Sequence, residues 1–243
     1  MNKTADYELT IIVPIYNEED NISRLETTFS AYLPQCSVKA CVLFVNDGSR
    51  DKSLDGIRAM CQRNDAFFYI NFEANHGLSA AIKAGIDMAA SRWVGYIDAD
   101  LQTNPEDFNL LLRDAADYPL VIGIRAKRQD SLGKRLQSKI ANGFRRMMTG
   151  DTATDTGCPL KVIQTDYAKR IPFFTGMHRF LPALILLQDG GKFREVPVRH
   201  YPRTAGQSKY HLWNRLVSPF KDCFAYRWMK HRYINYRVVE SKI

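Results

Sequence analysis

The fold of this chain is decided by the stretch Trp93-Val94-Gly95-Tyr96-Ile97-Asp98-Ala99-Asp100-Leu101-Gln102. An apolar run with the character of a β-strand ends here in two carboxylates one residue apart, followed by a carboxamide. Alternate side chains of an extended backbone point to the same side, so Asp98, Asp100 and Gln102 are expected to converge if the strand continues that far. Three such oxygen ligands suit a hard divalent cation, Mg²⁺ or Mn²⁺, whereas the alternative is an acidic turn at a strand end.

Outward from this stretch, apolar segments with strand character alternate with amphipathic helical segments. The sequence predicts strands at 9–16, 38–45, 67–72, 120–124 and 193–200 besides the opening stretch, and helices at 17–33, 53–62, 78–90, 104–114, 131–148 and 180–187. This alternation indicates an α/β fold, with βαβ units and a mainly parallel sheet flanked by helices. Ligands of such sheets bind beyond the carboxyl ends of the strands. Polar groups follow three of these ends, at Tyr16-Asn17-Glu18, Asn46-Asp47 and Asp98-Ala99-Asp100, so we expect one site there.

Charge is divided unevenly along the 243-residue chain, whose net charge is +8. Residues 1–124 carry 10 Lys and Arg against 18 Asp and Glu, while residues 125–243 carry 24 against 8. The basic second half predicts an anionic partner, which could be nucleic acid, a phosphorylated lipid or an anionic membrane surface. A basic surface that serves only solvation is the alternative. The composition, 45% hydrophobic and 25% charged, suits one large domain with or without an appendage.

Cysteine spacing and hydropathy indicate a cytoplasmic protein that is soluble or peripheral to a membrane. The five cysteines include no C-x-x-C pair, which predicts a reducing compartment without a disulfide framework or a zinc site. The N-terminal segment lacks the apolar core of a signal peptide. The apolar run from Phe180 to Leu187 is far shorter than the roughly 20 residues that span a bilayer.

Several common motifs of nucleotide binding and hydrolysis are absent from the sequence. It contains no G-x-G-x-x-G after the first strand, no G-x-x-x-x-G-K-[ST], no H-E-x-x-H and no G-x-S-x-G. These absences argue against a dinucleotide dehydrogenase, a P-loop enzyme and an α/β-hydrolase. A nucleotide on this sheet would have to be held by side chains and by a metal-bound diphosphate.

Four N-terminal motifs together resemble the family 2 glycosyltransferases of the GT-A fold, a Rossmann-like sheet. They are Val13-Pro14-Ile15-Tyr16-Asn17-Glu18, Val45-Asn46-Asp47-Gly48-Ser49, Asn75-His76-Gly77-Leu78 with Gly85, and Asp98-Ala99-Asp100-Leu101-Gln102. The second half is similar to the dolichol-phosphate mannose synthase group, which makes polyprenyl-phosphate sugars. The stretches that carry this closer resemblance are Gly123-Ile124-Arg125, 134–139 with Ala141-Asn142, 155–158, 195–198, and 203–206 with Ser208 and Lys209. The resemblance covers roughly residues 8–212.

On the donor side, the resemblance implies a nucleotide-sugar pocket and a metal site. The expected pocket residues are Pro14, Tyr16, Asn17, Glu18, Asn46, Asp47, Asp98 and Ala99. Asp98 and Asp100 would hold Mg²⁺ or Mn²⁺ on the diphosphate, with Gln102 as a further ligand. Asn46 stands where the family usually has a carboxylate, so the contact to the base departs from the family pattern.

On the acceptor side, the resemblance implies a set of cations around a lipid phosphate. Arg125, Lys134 or Arg135, and Ser138 would bind that phosphate, and Arg203 and Lys209 would close over the substrates. Together with Asp100 they form the expected catalytic set. Asp155 is interpreted as a structural partner of the basic helix, with a role as a base as the alternative.

The activity implied by the resemblance is inverting transfer of a sugar, mannose or another hexose, from a nucleoside-diphosphate sugar to polyprenyl or dolichyl phosphate. A lipid phosphate is already anionic and needs orientation and charge compensation rather than a base, which suits the basic second half. One alternative is a family 2 enzyme acting on a hydroxyl of a cell-envelope glycan or glycolipid. Another is a non-catalytic protein that retains the fold and binds anionic polymer or membrane. Nucleic acid is not an expected partner, and homo-oligomerisation is left open.

The C-terminal residues are expected to form a segment of their own. The sequence predicts a GT-A domain over residues 1–212 and a basic amphipathic helical appendage over 213–243. Apolar residues recur there every three or four positions, at Trp213, Leu216, Val217, Phe220, Phe224 and Trp228, with Lys and Arg between them. Such a helix either lies in the membrane interface or packs on the core. The first alternative would place the protein at the inner face of the cytoplasmic membrane.

Overall fold

The computed structural model describes residues 2–125, 132–199, 201, 212–234 and 239–240. The side chains of residues 132–140, 212–217 and 219 are outside this description. The strands found in these residues are β1 (Leu9–Ile15), β2 (Ala40–Asn46), β3 (Phe67–Asn71), β4 (Trp93–Tyr96), β5 (Leu120–Arg125), β6 (Lys161–Gln164) and β7 (Phe193–Val198). They form one sheet in the order β3-β2-β1-β4-β6-β5-β7.

The sheet is parallel except at β6, which runs antiparallel to both β4 and β5. The prediction of a mainly parallel sheet in an α/β fold is therefore confirmed. The strand β6 was not predicted, because four residues that begin with a lysine two positions after Pro159 give no clear period-2 pattern. Its insertion between β4 and β5 places its first residue at the edge where those two strands end.

Helices cover both faces of the sheet. In the described residues they are α1 (Glu19–Tyr32), α2 (Ser53–Arg63), α3 (Leu78–Met88), α4 (Phe108–Leu112), α5 (Leu132–Thr149), α6 (Thr165–Lys169), α7 (Leu181–Leu186) and α8 (Leu212–Lys230). The helix predicted for 104–114 is instead a 3₁₀ turn at Pro105–Asp107 followed by the short α4. Asn104 is the N-cap of this 3₁₀ turn, because its side-chain oxygen accepts a hydrogen bond from the Glu106 backbone amide.

Alternate residues of β1 feed two hydrophobic cores. Ile11 belongs to the core that contains Phe29 of α1, while Ile12 belongs to the core that contains Ile82 of α3. A Cβ at Gly85 would lie 2.7 Å from Cγ2 of Ile12, so α3 approaches the sheet more closely than a larger residue allows. Burial on both faces explains why β1 is almost continuously apolar.

The C-terminal helix α8 packs on the core with one face and exposes the other. Tyr226 is 1% exposed, its hydroxyl donates to the Ala183 carbonyl over 3.1 Å, and its ring stacks on Phe180. On the outer face, Phe224 and Trp228 are 52% and 65% exposed. Packing on the core is therefore observed for the inner face, and the domain boundary at residue 212 stays a prediction. No helix in the described part of the chain is long and apolar enough to cross a bilayer.

A buried ion pair holds the loop that follows α5. The carboxylate of Asp151 has no exposed side-chain surface and accepts hydrogen bonds from Arg145, from the Thr149 hydroxyl and from the Ala153 amide. The guanidinium of Arg145 also donates to the Ala153 carbonyl. Removing one member of a buried pair leaves the other charge without compensation, which is costly in a region of low dielectric.

We expect Asp151→Ala to lower the free energy of unfolding by about 3–5 kcal/mol, because Arg145 stays buried without its partner. Urea unfolding followed by circular dichroism measures the change. Asp166→Ala, which removes an exposed carboxylate from α6, is the matched control and should leave stability nearly unchanged. A loss below about 1 kcal/mol in Asp151→Ala would contradict the importance of the pair.

Candidate nucleotide-sugar site

A pocket of about 350 Å³ lies at the carboxyl ends of β1, β2 and β4. Its lining residues are Pro14, Ile15, Tyr16, Glu18, Asp47, Asn75, Gly77, Leu78, Asp98, Ala99 and Asp100. Six of the eight residues expected to bind the nucleotide sugar are in this set, together with Asp100. The three polar strand ends thus meet in one place, as the parallel strand order predicts.

The carboxylate of Asp47 organises one wall of the pocket. It accepts hydrogen bonds from the side-chain amide of Asn75 at 2.8 Å and from the backbone amides of His76 at 2.7 Å and Gly77 at 2.9 Å. Gly77 has φ +87°, a conformation that glycine adopts readily, and it precedes the first residue of α3. The motifs after β2 and β3 are therefore one hydrogen-bonded unit, in which His76 contributes its backbone.

Two of the expected nucleotide-binding residues are not among the described lining residues. Asn17 has φ +50°, its backbone amide donates to the Ser49 hydroxyl, and its side-chain oxygen accepts from the Arg50 amide. Asn46 is 1% exposed, and its amide nitrogen donates to the side-chain oxygen of Asn71 at 2.7 Å. Both residues shape the loops of the pocket in this structure. Their contact with a nucleotide remains a prediction.

The acidic stretch after β4 is a turn, so the expected continuation of the strand is wrong. The strand ends at Tyr96, residues 99–100 form a turn, and Leu101 after them has φ +51°. The Tyr96 hydroxyl donates to Asp98 at 2.5 Å, and the Gln102 amide donates to Asp100 at 3.2 Å. Asp98 and Asp100 line the same pocket, whereas Gln102 is not among its described lining residues. Its role as a metal ligand remains a prediction.

The donor set of the pocket fits a hard divalent cation held jointly by the protein and a phosphate. Two carboxylates, Asp98 and Asp100, line one small pocket. No cluster of three or more His, Cys, Asp and Glu side chains suited to a metal occurs within the described residues. Mg²⁺ is commonly bound by one or two carboxylates, with water and substrate phosphates completing its coordination. The residues present therefore suit a cation that binds together with a diphosphate.

Arg125, the last residue of β5, is held by Asp155 in a bidentate pair. Its Nε and Nη2 donate to the two carboxylate oxygens at 2.8 and 2.7 Å, and its backbone amide donates to Asp155 at 3.2 Å. Both side chains are mostly buried. One partner of Asp155 is thus the last residue of β5. Its pairing with the basic helix stays a prediction, because the side chains of residues 132–140 are outside the described part of the chain.

The other residues expected on the acceptor side cannot be placed at the level of side chains. Lys134, Arg135 and Ser138 lie on the first turns of α5, where only the backbone is described. Arg203 and Lys209 lie outside the described residues. Their roles remain predictions.

A hydrogen-bonded link that the sequence analysis missed ties α3 to the turn before α7. The hydroxyl of Ser79 lies 2.7 Å from Nδ1 of His178 and accepts a hydrogen bond from the Gly176 amide at 3.0 Å. Desolvation, with smaller contributions from Arg179 and Lys161, lowers the pKa of His178 to about 3, so the imidazole is neutral at pH 7. The sequence carries no signal for this link, because its members are almost a hundred residues apart.

Comparison with known proteins agrees with this geometry. The model of glycosyl transferase family 2 matches residues 10–176. The chain is 32% identical over 208 residues to dodecaprenyl-phosphate galacturonate synthase of Rhizobium johnstonii, covering 84% of this chain and 62% of that protein. It is 32% identical over 213 residues to undecaprenyl-phosphate 4-deoxy-4-formamido-L-arabinose transferase of Edwardsiella ictaluri, covering 86% and 65%. The chain thus spans less than two thirds of the length of these relatives.

Solved structures share the fold. Glucosyl-3-phosphoglycerate synthase of Mycobacterium tuberculosis, crystallised with Mn²⁺, UDP-glucose and phosphoglyceric acid, superposes with a TM-score of 0.67 at 14% identity, covering 94% of this chain and 81% of that one. A mannosyltransferase of Pyrobaculum calidifontis with GDP-mannose and Mn²⁺ gives 0.61 at 16% identity, covering 93% and 70%. The expected GT-A fold is confirmed. With the family model matching more than half of its length, the chain belongs to glycosyl transferase family 2.

Proposed function

We propose that the protein is an inverting glycosyltransferase that moves a sugar from a nucleoside diphosphate to a polyprenyl phosphate. The observation that carries this proposal is the shared pocket of Asp98, Asp100, Tyr16, Glu18 and Asp47. The two relatives support a polyprenyl phosphate as the acceptor, because their names specify dodecaprenyl and undecaprenyl phosphate. Those names contain galacturonate and a formamido-arabinose rather than mannose, so mannose is one candidate among several donor sugars.

On the donor side, Asp98 and Asp100 would hold Mg²⁺ or Mn²⁺ together with the diphosphate of the donor. The metal would compensate the charge that develops on the leaving nucleoside diphosphate. Asp47 keeps the turn at residues 75–77 in place, and Gly77 allows this turn to border the pocket. The protein thereby offers the donor a preorganised cavity at the end of rigid strands.

On the acceptor side, Arg125 would bind the phosphate of the lipid. A guanidinium matches the geometry of phosphate oxygens, and Asp155 fixes its orientation through two short hydrogen bonds. The anionic acceptor attacks the anomeric carbon on the side opposite the leaving group, which inverts its configuration. A hydroxyl acceptor would also need a base. Asp155 suits that role poorly, because both of its carboxylate oxygens already accept hydrogen bonds from Arg125.

The outer face of α8 would bind an anionic membrane surface and so hold the protein at the cytosolic side of the membrane. Phe220, Phe224 and Trp228 recur at four-residue spacing and are each more than half exposed. Lys221 and Arg227 are exposed on the same helix. Aromatic side chains beside cations suit the boundary between lipid headgroups and acyl chains. Docking by this face would bring the pocket to a substrate that resides in the bilayer.

We expect Asp100→Ala to reduce transfer by roughly 100-fold or more, because an essential carboxylate of the metal site is lost. The assay uses vesicles with undecaprenyl phosphate and a panel of labelled UDP- and GDP-sugars, and it scores an acid-labile lipid product by mass spectrometry. Asp117→Ala, on an exposed loop, is the matched control. Near-normal turnover in Asp100→Ala would refute the metal assignment. A product with an ordinary glycosidic bond would favour the hydroxyl acceptor instead.

We expect Arg125→Ala to raise the KM for the lipid phosphate by roughly tenfold or more while changing the KM for the donor much less. The reason is that, of the two substrates, only the acceptor would be bound by the guanidinium of Arg125. Initial rates with each substrate varied in turn give both constants. Arg194→Ala, an exposed arginine on the neighbouring β7, serves as the control. Equal effects on both substrates would argue against an acceptor role for Arg125.

We expect the double variant Phe224→Glu, Trp228→Glu to bind phosphatidylglycerol vesicles roughly tenfold or more weakly, because two exposed aromatic anchors become anionic. Vesicle co-sedimentation measures binding, and added salt should weaken the binding of the unmodified protein. Met88→Glu changes an exposed apolar residue at the end of α3 and should have little effect. Unchanged binding of the double variant would exclude α8 as the membrane-binding face.

A further inference from the structure

A buried lysine lies between the two halves of the proposed site. Lys161 is 2% exposed and is the first residue of β6. In the sheet it is paired with Tyr96 of β4 on one side and with Ile122 of β5 on the other. The first of these strands leads into the turn that carries Asp98, and the second ends in Arg125. The ammonium group is thus placed between the donor side and the acceptor side.

Towards the acceptor side, Lys161 holds the loop that positions the arginine. Its Nζ donates a hydrogen bond to the carbonyl oxygen of Cys158. The amide of Cys158 in turn donates to the carbonyl of Asp155, whose carboxylate binds Arg125 at 2.7 and 2.8 Å. A cation anchored in the sheet therefore fixes the turn that orients the guanidinium of Arg125.

Towards the donor side, Lys161 contacts the aromatic residue that binds the first aspartate. Its Nζ lies 5.3 Å from the centre of the Tyr96 ring, within the range of a cation–π interaction. The hydroxyl of the same ring donates to Asp98 at 2.5 Å. A continuous series of contacts therefore runs from the Asp98 carboxylate through Tyr96 and Lys161 to the loop at residues 155–158.

Burial of the Lys161 ammonium disfavours folding, so a role in stability does not explain why a lysine lies here. Desolvation lowers the pKa of Lys161, and the positive charge of Arg125 adds to that shift, while Cys158, Asp98 and Asp155 oppose it. Replacing a whole buried ion pair by apolar residues is often neutral or stabilising, so a buried charge is weak evidence for a role in stability. Buried charges with specific partners are concentrated at functional sites. The position of Lys161 between Asp98 and Asp155 is consistent with such a function.

We propose that Lys161 is a positioning residue that fixes the Asp98 turn and the Arg125–Asp155 pair at one separation. When protonated, it also places a positive charge near both carboxylates. The inference rests on the proposed function, since it assumes a donor diphosphate at one end and an acceptor phosphate at the other. In-line attack requires the two phosphates to flank the anomeric carbon, and a displacement of about 1 Å can cost roughly 100-fold in rate. Lys161 is buried and so acts through its neighbours.

The test is Lys161→Met, which keeps the length of the side chain and removes the charge and the hydrogen bond. We expect kcat to fall roughly 10- to 100-fold while the KM for each substrate stays within about threefold. Calorimetry with Mn²⁺ and UDP or GDP is a readout independent of turnover. It should give an affinity equal to or higher than that of the unmodified protein, because a cation near Asp98 has been removed. The thermal unfolding midpoint should be unchanged or higher.

Two further variants separate charge from packing. Lys161→Arg keeps the cation and should retain clearly more turnover than Lys161→Met. Lys39→Met removes an exposed lysine whose Nζ lies 5.0 Å from the Tyr7 ring, at the opposite edge of the sheet. This control repeats the lysine–tyrosine contact away from the site and should leave turnover and Mn²⁺ binding unchanged.

Wild-type turnover in Lys161→Met would overturn the proposal. A fall in turnover matched by weaker Mn²⁺–nucleotide binding and a lower unfolding midpoint would overturn it too, because the role would then be structural. If Lys161→Met does not fold, Tyr96→Phe removes only the hydroxyl contact with Asp98 and should lower kcat without changing either KM. Unchanged kcat in Tyr96→Phe would then refute the series of contacts. Absence of transfer by the unmodified protein with every donor would instead refute the proposed function, and the Mn²⁺ measurement would still test the charge of Lys161.

Discussion

The pairing of β1 with both β2 and β4 is the constraint on which the rest of the structure depends. Backbone hydrogen bonds align Ile15 with Asn46 and Ile12 with Tyr96, so the three strands end at one edge of the sheet. The polar residues that follow the strands therefore lie close together. The apolar residues within the strands are buried on both faces of the sheet. A register shift of one residue would reverse every side chain of β1 between the two cores. Burial of the apolar side chains in the two cores therefore fixes the strand register and, with it, the position of the pocket.

The sequence was informative where a pattern was long or a polar group followed a strand. The apolar run of β1 and the polar groups after Ile15, Asn46 and Tyr96 predicted the sheet and most of the pocket lining. Two features escaped prediction for physical reasons. The turn at Asp98–Asp100 is followed by a left-handed conformation at Leu101, which leucine seldom adopts. The strand β6 is stabilised by pairing with β4 and β5 rather than by its own four residues.

The partners of charged residues were also beyond the reach of sequence alone. Asp155 binds Arg125 across 30 residues, and the ring of Tyr96 meets the ammonium of Lys161 only because β6 lies beside β4. Local spacing on a helix can suggest an ion pair, but contacts of this kind follow from strand order. The uneven charge of the two halves matches the structure in its first part, because carboxylates of the first half line the pocket. The acceptor role of the basic second half stays a prediction.

The antiparallel direction of β6 determines which part of the chain can change in sequence without altering the pocket. The chain leaves the sheet after Arg125 and re-enters it at Lys161, at the same edge and one strand away. The two ends of the segment between these points are tied by backbone hydrogen bonds, including that from the Gly123 amide to the Leu160 carbonyl, and its described residues, 132–160, form no strand of the sheet. Insertions or exchanges within this segment leave the strand pairings of β1, β2 and β4 intact. Evolution can therefore alter the surface proposed for the acceptor while leaving the cavity proposed for the donor unchanged.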